Sequence, residues 1–238
     1  MLEPDSTRVV PSHAGAPGGG LDSPHALQIL TTEHWSLLAA RSLGYTESMS
    51  RASMFIAALS GSVIALALVG QATEFGDGFV AFALVLLPVV YFLGISTLAR
   101  LSQNNYEDAV WVQGMNRIRS AYLELAPTLQ PYFVTSRHDD ADGVLLSSLA
   151  MRRPLPRLQP FFSIPGVIAV IDSVVAGGIA GIAALGLDLR TGWSVALGGL
   201  AFAVSLAAFV LWAHHEIARH TARLVVRFPE PDAGRPTG

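Results

Sequence analysis

The sequence predicts an all-α, polytopic membrane protein: four transmembrane helices with cytoplasmic helices attached. Three observations carry that expectation. Hydrophobic residues fill 51% of the 238 positions and charged residues 14%, at a mean hydropathy of +0.46, a balance of membrane chains rather than soluble domains. Four windows nearly free of charge are long enough, at roughly 20 residues each, to cross about 30 Å of hydrocarbon as helices. The arginines concentrate in the segments that a four-span course leaves on one side.

Residues 1–22 are rich in Pro, Gly and Ala and have no apolar core of a signal peptide, so they predict a disordered cytoplasmic tail. Ser23 before Pro24 is an N-cap and first-position pair that opens a lead-in helix over 23–50. Its Leu27, Leu30, Trp35, Leu37 and Leu38 suit the headgroup boundary, before the chain turns into the membrane. Residues 51–100 form a first transmembrane hairpin, with ASMFIAALSGSVIALALVGQAT between Arg51 and Glu74 and GFVAFALVLLPVVYFLGISTLA between Asp77 and Arg100. Pro88 is expected to kink the second of these.

Residues 101–160 predict a cytoplasmic helix followed by a Pro-rich loop. In the helix Trp111, Met115, Ile118, Tyr122 and Leu125 follow steps of four and three, a seam for the lead-in helix or for a second copy. Glu107, Gln113, Asn116 and Ser120 make the opposite, polar side. The MRRPLPR run supplies Arg152, Arg153 and Arg157 as a topological anchor able to hold anionic lipid headgroups. Residues 161–213 give the second transmembrane hairpin, and 214–238 a cytoplasmic tail. Every Arg except Arg190 falls before the first span, in the central loop or in the tail, which puts both termini in the cytoplasm of a cell membrane protein.

Within the spans Asp172 is the only charged residue, and an intramembrane acid is read first as part of an ion path, a proton relay or a polar helix contact. Ser60, Ser62, Tyr91, Ser96 and Ser205 are the hydroxyls available to it. Steps of four from Asp172 give Ala176, Ala180 and Ala184, a small-residue surface on which a neighbouring helix packs closely. Further small-residue stripes include Gly61 in the first span and Gly199 in the fourth, and Gly177 with Gly181 makes a GxxxG.

Other motifs fail on geometry. In HHEIARH, His215 and His220 are five apart, so they do not share the helix face that HExxH zinc binding needs. Asp140, Asp142 and Gly143 match the middle of a calcium loop, but His138 and Leu149 stand where its first carboxylate and its closing Glu belong. No phosphate loop, dinucleotide fingerprint or nucleophile elbow occurs. The absence of Cys excludes disulfides and cysteine catalysis, and a net charge of -3 gives no nucleic-acid footprint. No metal, no cofactor and no enzymatic activity are expected.

EHWSLLAARSL before the first span and NRIRSAYLELAPTLQPYFVTSRHDD after the second resemble a bacterial family of integral membrane proteins of unassigned function, over roughly residues 27–143. The resemblance implies the same topology and brings no activity with it. The sequence thus predicts an oligomeric subunit that moves a proton or monovalent cation past Asp172. The alternative is a scaffold or sensor that binds a protein partner through its cytoplasmic helices.

Overall fold

The computed structural model describes residue 21 and residues 23–149, 163–223 and 225–230. Residues 1–20 and the anchor Arg152, Arg153 and Arg157 lie outside the described residues. The described residues form helices and no strands: α1 Pro24–Ala72, α2 Asp77–Leu125, α3 Ala141–Leu149, α4 Ile164–Gly186 and α5 Thr191–Arg223, and a 3-10 turn at Pro127–Tyr132. Four of these helices, α1, α2, α4 and α5, are long and apolar enough to cross a membrane.

The lead-in helix and the first span are one helix, not two. Ser23 caps α1 by accepting the Ala26 N–H at 3.1 Å, and no proline follows until the helix ends at Ala72. Nothing in the covalent chain breaks it near residue 50, so the predicted turn at the headgroups is absent. α2 likewise runs through Pro88 for 49 residues. A helix of that length reaches about 73 Å, far beyond about 30 Å of hydrocarbon. The excess of both helices stands on the side away from their shared turn, as a paired stalk.

Polar and close-packed contacts hold the stalk together. Arg41 bonds Asp108 at 2.7 Å, Arg100 bonds Glu47 at 3.0 Å, and Asn104 Nδ2 donates to Ser48 Oγ at 2.9 Å. The predicted seam on α2 is spent here, inside the chain. Trp111 lies against Gly44, and Tyr122 faces His34 with ring centroids 6.1 Å apart. Met115 packs with Val112, Leu37 and Val144 of α3; Ile118 is buried and Leu125 half-buried.

The reverse, polar side of α2 is not solvated as its composition suggests. Gln113, Asn116 and Ser120 are buried, because they bond the backbone of the following loop: Gln113 Nε2 donates to Asp139 O at 2.8 Å, Asn116 Nδ2 to His138 O at 2.7 Å and Ser120 Oγ to Arg137 O at 2.7 Å. Amide side chains thus act as an edge for a segment without secondary structure of its own.

In the membrane-spanning part the packed pairs are α1 with α2, α2 with α4 and α4 with α5. Phe55 of α1, Leu87, Val90 and Leu98 of α2, and Ile168 and Val175 of α4 form the core. α4 and α5 touch backbone to backbone: a Cβ on Gly177 would lie 2.8 Å from Gly198 O. Gly181 also meets α5, at Ser194 O. The partner glycine on α5 is Gly198 rather than the predicted Gly199, which has nothing within 4 Å. One residue turns a helix by about 100°, so the stripe through Gly199 points outward. Gly61 is open in the same way, because buried Phe55 and Ser62 set the side of α1 that meets α2. Neither glycine serves the intrachain packing expected of it. Ala176 is half-buried, while Ala180 and Ala184 line an open apolar groove of about 460 Å³ with Leu197, Leu200 and Val204 of α5.

Candidate functional site

Asp172 lies two turns into α4, whose start is fixed by Pro165 and by Ser163 accepting the Gly166 N–H. At 1.5 Å per residue its Cα sits about 12 Å from that helix end, well inside an apolar layer of about 30 Å. Ile168 and Val175, one turn either side on the same face, are buried against α2. The carboxyl between them is 0% exposed.

The space for that carboxyl comes from α2. Gly94 is the residue opposite, and a methyl group there would overlap Oδ1 and Cγ of Asp172. The acid therefore faces a closely packed helix, as its surroundings in the sequence suggest, but the close approach is made by one glycine on another helix.

Neither carboxylate oxygen of Asp172 has a hydrogen-bond partner among the described residues. The hydroxyls expected near it are engaged elsewhere. Ser60 and Ser62 donate to carbonyls one turn back in α1, and Ser96 is exposed. Tyr91 and Ser205 come together with an O···O separation of 3.4 Å. Ser173, also 0% exposed, joins them 3.2 Å from Ser205 Oγ. A cluster of three hydroxyls from α2, α4 and α5 thus sits beside the acid in sequence and one turn from Gly94 along α2. Ser173 and Gly94 escape a reading of the sequence, since a Ser and a Gly in an apolar run carry no signal until the helix pairing is known.

A second buried acid shows what a structural role looks like in the same molecule. Asp139, in the loop before α3, is also 0% exposed, yet its carboxylate accepts from Arg117 Nε at 2.8 Å, the Arg227 N–H at 2.9 Å and the Phe228 N–H at 2.7 Å. Its own N–H donates to Phe228 O at 3.1 Å. Burial alone would push this carboxyl up. The Arg117 guanidinium and the two backbone N–H groups outweigh burial and hold it below the usual carboxylate range. Asp140 extends the clasp, accepting from Glu230 N–H at 2.7 Å and from Gly143 N–H at 2.7 Å to cap α3. The acidic turn is thus the fastening for the segment after α5.

His214 and His215 of HHEIARH are exposed on the last turns of α5, and no group of three acidic or His residues suited to a metal occurs among the described residues. Compared with protein-family models, with curated proteins and with solved structures, the chain gives no significant match.

Proposed function

We propose that this protein is a subunit of an ion-translocating membrane assembly in which Asp172 takes up and releases a proton. One observation carries the reading: a carboxyl fully buried among membrane helices, with both oxygens unpartnered. An acid kept for structure is expected to look like Asp139, saturated with donors. An unsatisfied one costs stability wherever it is buried, and in a membrane segment that cost is characteristic of a functional group. A proton suits the site better than a metal cation, because one carboxyl beside Gly94 offers two oxygens and no second acid. The hydroxyls of Tyr91, Ser205 and Ser173 provide neighbouring groups that both donate and accept, the chemistry a proton relay uses. The Arg distribution supports termini, stalk and clasp on the cytoplasmic side.

The test is proton flux into liposomes holding equal amounts of wild type or Asp172→Asn. Flux that falls to background in the variant supports the reading; equal flux in both, or none from inserted wild type under any pH gradient or voltage, contradicts it.

A scaffold role is the second reading, and the far tip of the stalk favours it. Tyr132 is 79% and Val134 94% exposed there, outside the membrane layer, where large apolar side chains on a surface mark partner sites.

A further inference from the structure

We infer that Arg119 and Arg41, on facing helices of the stalk, bind a soluble oxyanion of the phosphate class. The other arginines of α1 and α2 each meet an acid: Arg41 meets Asp108, Arg51 and Arg100 meet Glu47, and Arg117 meets Asp139. Arg119 is the exception. It is half-buried, meets no acid among the described residues, and donates from Nη1 to a neutral acceptor, Asn116 Oδ1, at 2.6 Å. That oxygen is shared, since Ser147 Oγ also donates to it at 2.9 Å. Burial and the like charge of Arg41 both work against the charged form of Arg119. A guanidinium keeps its proton in a protein, so the compensation that fits is a bound anion.

Helix register brings the donors to one strip of the stalk. Asp108 and Arg119 are eleven residues apart on α2, three turns with an offset of about 20°, and His34 and Arg41 are seven apart on α1, two turns with a like offset. Contacts between the helices run along this strip, from Arg41 on Asp108 through Leu37 on Gly114 to His34 facing Tyr122. Arg119 lies one turn before Tyr122, and its bond to Asn116 turns it back towards the level of Arg41. Arg41 spends Nε and Nη2 on Asp108. Arg41 Nη1 and the Nε–Nη2 edge of Arg119 are left to donate. Beside them His34, held below its usual value by burial and by the Arg119 charge, adds no charge of its own. Its Nδ1 is closed to solvent and has no partner among the described residues.

This donor set selects the ligand. The Nε–Nη2 edge of a guanidinium takes two oxygens of one oxyanion, and Arg41 Nη1 on the facing helix takes a third. A carboxylate has only two in all, whereas phosphate has enough for both arginines. Position selects the source. Arg100 closes the second apolar window and Arg119 lies nineteen residues beyond it, about 28 Å along α2. Lipid headgroups extend only about 5–8 Å past the hydrocarbon on each side, so a soluble phosphate reaches this site and a bilayer phosphate does not.

The test uses the purified full chain in detergent, with inorganic phosphate as the probe and chloride of matched ionic strength as the control. About 10 mM phosphate should raise the wild-type Tm by about 3 °C or more. Arg119→Gln, whose amide still can donate to Asn116, should unfold no lower than wild type in chloride and lose the phosphate shift. Arg119→Lys, which keeps the charge without the two-donor edge, should show less than half of it. No shift in wild type, or an equal shift in Arg119→Gln, would overturn the inference. So would a shift abolished by anionic phospholipid at equal concentration, which assigns the donors to headgroups. Asp172 and proton flux take no part in the readout, so failure here and failure of the proposed function remain distinct.

Discussion

Two aspartates buried to the same degree define what single residues do in this protein. Asp139 has Arg117 and two backbone N–H groups; Asp172 has Gly94, which offers only room. Gly94→Ala should therefore overpack the α2–α4 interface, with a loss of about 1–3 kcal/mol in stability. Adding Asp172→Ala should recover most of it, by removing the carboxyl the methyl strikes; thermal unfolding in detergent measures both, and additive losses would contradict the contact. For Asp139 the depressed carboxyl sets a pH dependence. Its contribution to the clasp is complete above the unfolded value of about 3.9 and is lost as pH falls through the lower folded value. Hydrogen exchange at Arg227 and Phe228, corrected for intrinsic rate, should show protection at pH 6 that declines only below about pH 4. Asp139→Asn should lack that pH dependence and be less protected at pH 6; protection equal to wild type would count against the clasp. Asp172 was legible from sequence because one charge in an apolar run is a signal along the chain. Gly94 was not, since its meaning depends on which residue of α4 lies opposite.

Among the helices, periodicity identifies a face but not its neighbour. The Trp111 to Leu125 seam is visible as a stripe, yet its partner α1 is fixed by Gly44 and the Arg41–Asp108 and Arg100–Glu47 pairs. The polar side of α2 is visible as a stripe too, and again its neighbour is not. Amide and hydroxyl side chains that look solvated become buried when a loop lacking its own backbone partners lies on them. α1 shows the converse: the absence of proline between Pro24 and Ala72 is a plain sequence fact, but amphipathic residues at the lead-in suggested a membrane surface where the fold has a stalk. The α4–α5 contact gives the sharpest comparison at this scale. Gly177→Val should lose about 1–3 kcal/mol or more because Gly198 O occupies the space a side chain needs, whereas Gly199→Val should change stability by less than about 0.5 kcal/mol. Equal effects in a denaturation series would contradict the assigned face.

Across the whole molecule, composition and charge-free windows suffice for four membrane-crossing helices, since spanning length follows from bilayer thickness alone. The stalk and its clasp are long-range features: residues 225–230 return from the end of α5 to the loop before α3, and so tie the second hairpin to the first outside the membrane layer. Both hairpins meet again around Asp172, where α2 packs on α4, and at the adjacent Ser173, which bonds Ser205 of α5. In the function proposed for it, the unpartnered acid binds a proton on the way across. The decisive measurement is the initial rate of proton entry into liposomes under an imposed gradient, for wild type and Asp172→Asn at matched protein density. A proton-carrying Asp172 gives a protein-dependent rate in wild type that falls to the empty-liposome rate in the variant; wild-type flux retained in Asp172→Asn would rule that role out.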